Sequence, residues 1–128
     1  MSTVKDGLLY TKDDEWIAVS GETGTVGITD YAQDSLSDIV YLELPNVGDS
    51  FESGENFGVV ESVKAAADLF MPVSGQVTAV NDALIDAPEE INQSPYDAWL
   101  VKIQFSDLAE LDELMDADAY RKYLTERD

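Results

Sequence analysis

Only seven of the 128 residues are Lys or Arg, and one of them, Lys64, interrupts the run FGVVESVKAAADLFMPVSGQV between two strand-like stretches. The chain has neither Cys nor His. That removes thiolate chemistry, disulfides, the usual zinc and copper ligands and the commonest general base, leaving carboxylates, hydroxyls and lysines for any chemistry. A lysine at a hairpin tip is either a solvated charge or a handle to which something is attached. Val63 on one side and Ala65, Ala66 and Ala67 on the other leave the tip sterically open to another protein's active site.

Three other stretches invite a chemical reading and lose it on inspection. GETGTVG, residues 21–27, spaces its glycines by three but lacks the GK[ST] ending of a phosphate loop, so its glycines read as turn and close-packing residues. DELMDADAY is carboxylate-rich yet has no Gly at the sixth place and no Glu at the twelfth of a calcium loop; it reads as a solvated helix face and a cap. KDDEW places Asp13, Asp14 and Glu15 before a Trp that can anchor packing. It is an acidic surface turn unless the fold brings it near Lys64.

The elements around Lys64 follow from periodicity. Tyr10 and WIAVS suggest the first strands and TVGIT a third, with GETG as the turn. DYAQDSL reads as a short helix that Asp30 can cap, with Gln33 at capping-box spacing and Thr29 nearly as suitable. DIVYLEL alternates Val40, Leu42 and Leu44 against Tyr41 and Glu43. FGVVES and DLFMPV flank the lysine, Pro72 belongs at a strand edge or end, and SGQVTAV is a further strand. NDALIDAPEEIN gives short helical turns broken by Pro88. WLVKIQF alternates Trp99, Val101, Ile103 and Phe105 with Leu100, Lys102 and Gln104. The last segment shifts to a helical period: Leu108, Leu111 and Met115 form one stripe, and Ala119, Tyr120, Tyr123 and Leu124 form another behind Asp116 as cap. Many short strands followed by terminal helices predict a mainly β sandwich or flattened barrel with α trimmings.

Length fits one domain, residues 1–128. With 27 acidic residues and a formal net charge of -20, phosphate backbones and anionic lipid surfaces are repelled, so neither nucleic acid nor membrane is an expected partner. No apolar run approaches the roughly 20 residues of a membrane span, and the N-terminus has no signal core, so a cytoplasmic location is expected. The acidity suits either a well-solvated surface or a high-salt habitat, and composition does not separate the two.

At VESVKAAAD the chain resembles the H proteins of the glycine cleavage system, which are lipoyl carriers. The resemblance runs through YTKDDEW, VGITDYAQ, DIVYLELPNVGD, GVVESVKAAAD, PVSGQVTAVN, SPYDAWLVKI and LMDADAY, nearly the whole length. Biotinyl carriers place Met on both sides of their lysine, and the lipoyl domains of oxo-acid dehydrogenases typically show Asp before it; here the neighbours are Val63 and Ala65. The chain departs from the family's pattern at Asp14, usually His, at Ser37, usually Gly, and at Ala67, usually a small or hydroxyl residue. Asp14 puts partner contacts or the lining of the arm's resting site in doubt, not the attachment site.

The resemblance implies a lipoyl-domain-like hybrid barrel-sandwich: two small antiparallel sheets, Lys64 on a hairpin turn, N-terminal strands and C-terminal helices. It implies lipoic acid joined to Lys64 as N6-lipoyllysine by a lipoate ligase or lipoyl transferase. The arm would take an aminomethyl group from glycine decarboxylase, the P protein, to aminomethyltransferase, the T protein, and be reoxidised by dihydrolipoamide dehydrogenase, the L protein. On this reading the chain is a non-catalytic carrier, expected to be a monomer. Glu15 and Asp68 become candidates for docking the loaded arm and Glu61 for recognition by the lipoylating enzyme. An H-like carrier serving sulfur oxidation or lipoyl relay, and an unmodified binding module, are the alternatives.

Overall fold

A computed structural model describes residues 2–127. Its strands are β1 (Leu9–Tyr10), β2 (Glu15–Ser20), β3 (Thr23–Ile28), β4 (Ile39–Glu43), β5 (Ser50–Phe51), β6 (Asn56–Ser62), β7 (Ala66–Phe70), β8 (Gly75–Val80) and β9 (Val101–Phe105). Its helices are α1 (Asp30–Leu36), α2 (Asp82–Asp86), α3 (Glu90–Gln93) and α4 (Ala117–Arg127), with a 3-10 helix at Leu108–Glu113.

The strands form a six-stranded sheet in the order β1-β2-β3-β9-β8-β5 and a three-stranded sheet in the order β4-β6-β7, with antiparallel pairings throughout. The architecture is the mainly β, sandwich-like one that the sequence implies. Ile17, Val26, Leu42, Val60, Val77 and Ile103 belong to one buried cluster drawn from both sheets. Full burial of such a side chain contributes about 1.5–3 kcal/mol.

β2 and β3 show why the GETGTVG glycines are structural. Gly21, with φ of 60°, turns the chain between the two strands. Gly27 lies opposite Trp16, where an added Cβ would fall 2.4 Å from the indole ring. Only a residue without a side chain lets the ring lie flat on the strand. Trp16 then reaches Pro95, donating its indole N–H to the carbonyl at 3.0 Å.

A second buried cluster, Tyr10, Trp16, Ala117 and Tyr120, docks the C-terminal helix. The rings of Tyr10 and Tyr120 stack with centroids 4.5 Å apart, and Tyr10 exchanges backbone hydrogen bonds with Met115. Asp116 caps α4 as expected, its carboxylate accepting the Ala119 N–H at 2.8 Å.

Some expectations are corrected. Thr29, not Asp30, is the N-cap of α1: Thr29 is still extended, and its hydroxyl accepts the Ala32 N–H. Asp30 stands one residue into the helix, where its charge suits the first turn, and takes the Gln33 side-chain amide at 2.7 Å. In β4 the buried residues are Ile39 and Leu42, while Val40 is exposed beside Tyr41. A bulge between Ile39 and Tyr41 breaks the simple alternation of faces. Leu100 is buried although the alternation puts it with Lys102, because residues 99 and 100 precede β9 and the Leu100 N–H is drawn to the Val26 carbonyl. Leu108 is exposed and Ala117, rather than Ala119, faces the core. The tighter 3-10 winding of residues 108–113 changes which side chains share a face.

Candidate functional site at the Lys64 hairpin

β6 and β7 are the two strands of the hairpin, paired from Asn56↔Phe70 to Glu61↔Ala66. The turn closes on Ser62. Its N–H donates to the Ala65 carbonyl at 2.7 Å, and its hydroxyl accepts from the N–H groups of Lys64 and Ala65 at 3.3 and 3.1 Å. The Val63 N–H donates to the Asp38 carbonyl at 3.0 Å, tying the turn to the segment that enters β4. Backbone and Ser62 therefore satisfy the turn, and no side-chain hydrogen bond or ion pair among the described residues engages the Lys64 amine. Lys64, Ala65 and Ala66 are exposed, and Val63 is 66 % exposed.

A primary amine held this way is an accessible nucleophile once deprotonated, and acylation would turn it from a cation into a neutral amide. The small residues after it impose no steric barrier on an enzyme that must surround the tip. The residues present therefore fit a covalently attached acyl arm.

Glu61 is half-buried, opposite Tyr41 on one side and Ala66 on the other. Tyr41 donates its hydroxyl to Glu43 at 3.2 Å; that bond, then the Glu43 charge, raises the phenol's pKa, with Glu61 adding to the effect. Glu61 thus lies in an acidic stripe leading toward the tip. Asp68 is exposed on β7, opposite Val59.

Glu15 is brought to the hairpin from 55 residues away. Its Oε2 accepts the Phe70 N–H at 2.9 Å, and its Oε1 accepts the Thr11 hydroxyl at 3.1 Å. The residue is only 2 % exposed. Burial pushes its carboxyl up to about 8; the charges of Asp13 and Asp14 add to the rise, while the Phe70 N–H and the Thr11 hydroxyl oppose it. The acidic turn therefore meets the lysine hairpin at its base, where Phe70 ends β7 opposite Asn56, and not at the Lys64 tip.

Asp14, in the left-handed region at φ of 67°, turns away from Glu15's partners. Its carboxylate accepts the Tyr120 hydroxyl at 2.9 Å and pairs with Arg127 at 2.6 Å, and the Arg127 guanidinium lies over the rings of Tyr31 and Tyr123. The side chain that departs from the family's His thus belongs to the C-terminal helix contact. Asn92 was not singled out by its sequence setting: it joins α1, β4 and α3 through three hydrogen bonds. Its position in INQSP, between a helical turn and a Pro, gives no signal beyond an ordinary helix end.

The chain is similar to known proteins over nearly its whole length. The family model described as glycine cleavage H-protein matches residues 8–127. The glycine cleavage system H protein of Acidobacterium capsulatum is 58 % identical over 117 residues, covering 91 % of each chain. That of Carboxydothermus hydrogenoformans is 52 % identical over 127 residues, covering 98 % of each. The crystal structure of the H protein from Mycobacterium marinum superposes with a TM-score of 0.88 at 36 % identity, covering 95 % of this chain and 99 % of that one.

Proposed function

The chain belongs to the glycine cleavage H-protein family, and from that membership we propose that Lys64 is where this lipoyl carrier holds its cargo arm. The protein is a component of the glycine cleavage system that works with the P, T and L proteins. A carrier for sulfur oxidation or lipoyl relay is not favoured, because the relatives it matches bear the glycine cleavage name. Lipoic acid, amide-linked to lysine, supplies a dithiolane that the chain's own residues cannot.

The observation that carries the assignment of Lys64 is its exposed amine, unengaged among the described residues, on a turn that Ser62 closes without it. The lysine is thus free for an acylating enzyme while its backbone stays fixed. Glu61, on the strand entering the turn, is our candidate for contact with that enzyme, a lipoate ligase or lipoyl transferase. We read the chain's part as presentation rather than catalysis, a reading supported by its family's place as a carrier component of the system and by a sequence with neither Cys nor His.

Asp68 and Glu15 are our candidates for holding a cationic cargo. Asp68 supplies an exposed carboxylate on the strand leaving the tip. Glu15 supports β7 from behind, and each of its oxygens accepts one hydrogen bond, leaving acceptor capacity. At neutral pH burial favours the protonated acid; an ammonium group alongside would favour the carboxylate and be held by a charge-assisted bond. We further propose that residues 1–128 act as one carrier domain, monomeric and cytoplasmic; gel filtration and cell fractionation test the last two points.

The deciding experiment is intact mass with peptide mapping after incubation with lipoate, ATP and a lipoate ligase. One lipoyl increment on Lys64, absent from Lys64→Arg, is the expected result. No increment where a control H protein is modified would overturn the assignment and favour an unmodified binding module.

A further inference from the structure

Ser37, the residue that ends α1, has φ of 70° and ψ of -153°. That region is nearly closed to residues with a side chain, so a serine persists there only where its surroundings hold it. Its N–H donates to the carbonyls of Gln33 and Asp34. Its own carbonyl accepts the Asn92 side-chain amide at 2.8 Å. The same amide donates to the Gln33 side chain at 3.0 Å, and the Asn92 oxygen accepts the Ile39 N–H at 2.9 Å.

Asn92 therefore grips the backbone immediately before and immediately after Asp38. The Asp38 carbonyl is the acceptor of the Val63 N–H, at 3.0 Å. Val63 is the neighbour of Lys64, and this bond ties the turn to a part of the chain outside its own hairpin. Relaxing Ser37 toward negative φ would rotate the following peptide and redirect that carbonyl. A glycine would hold the observed angles with no side-chain strain and would need no brace.

We propose that Asn92 is a positioning residue for the lysine turn: by holding Ser37 in its strained conformation it aims the Asp38 carbonyl at Val63 and fixes how Lys64 is presented. Only the consequence for acylation rests on Lys64 being the attachment site; the brace itself does not.

The test is amide hydrogen exchange of the full chain by NMR, for wild type, Asn92→Ala, Ser37→Gly and the double variant. Asn92→Ala is expected to speed Val63 exchange roughly tenfold relative to the amides of β3 and β9, which report global opening. Adding Ser37→Gly is expected to return Val63 most of the way to its wild-type protection. The Asn92→Ala variant is also expected to lose kcat/KM for acylation by the ligase, with recovery in the double variant. Val63 exchange that stays unchanged, or that rises only in step with the β3 and β9 amides, would overturn the proposal, and so would failure of glycine to rescue. A wild-type chain that takes no lipoyl group on Lys64 would sink the carrier assignment and leave the exchange comparison to decide the brace.

Discussion

The carboxylate of Glu15 accepts the backbone N–H of Phe70 at 2.9 Å, joining the acidic N-terminal turn to the strand that descends from Lys64. One buried side chain thus supports the outer strand of the three-stranded sheet from the other sheet.

That burial sets a pH dependence. The folded carboxyl sits at about 8 against 4.5 for the ordinary group, so between those values the folded state holds a proton that the unfolded chain has released. Glu15's contribution is therefore fully present below about pH 4.5 and is lost as pH rises through 8. Glu15→Gln keeps an acceptor for Phe70 and does not titrate. Between pH 5 and pH 9 the wild type should lose on the order of a few kcal/mol relative to the variant. Urea unfolding of both proteins at the two pH values measures this, and parallel curves would contradict it.

Gly27→Ala forces a methyl group into the Trp16 ring. The ring or β3 has to shift, and the expected loss is about 1–3 kcal/mol. Thermal unfolding should show a lowered Tm, with Trp fluorescence altered because the indole leaves Pro95.

Asp14→Asn removes the charge that Arg127 pairs with and weakens the acceptor of the Tyr120 hydroxyl. The pair is mostly shielded from water, so a loss of about 1–2 kcal/mol is expected at low salt. Raising salt should narrow the gap between wild type and variant. Equal stability at low salt would show that the pair contributes nothing.

Tyr120→Phe deletes a buried hydroxyl that bonds both Thr29 and Asp14 while keeping the ring stacked on Tyr10. About 1–3 kcal/mol should be lost. Far-UV circular dichroism should stay native-like, since packing of α4 depends on the ring.

The parts of this protein legible in its sequence are those fixed by local pattern. Val101, Ile103 and Phe105 point inward as their alternation requires, Asp116 caps α4, and the lysine turn lies between two strands that are neighbours in sequence. What escaped the pattern depends on distant partners. The bulge in β4 moves Val40 outward because pairing with β6, not the alternation of β4 itself, sets the register. Glu15 reads as part of a solvated turn and is instead buried, because its acceptor role is set by Phe70, far along the chain. Asn92 carries no sign in its neighbourhood that it braces Ser37, and only the fold brings them together.

The pairing of Tyr10 with Met115 also bears on how this protein behaves in crowded solution. β1 is one border of the six-stranded sheet, and the chain entering α4 covers its hydrogen-bonding groups, while the opposite border, β5, is two residues long. Neither border of this sheet offers a long open ladder onto which a second copy can add a strand, the usual route to edge-to-edge aggregation, so the five-residue borders of the other sheet, β4 and β7, are the longer edges left to such pairing.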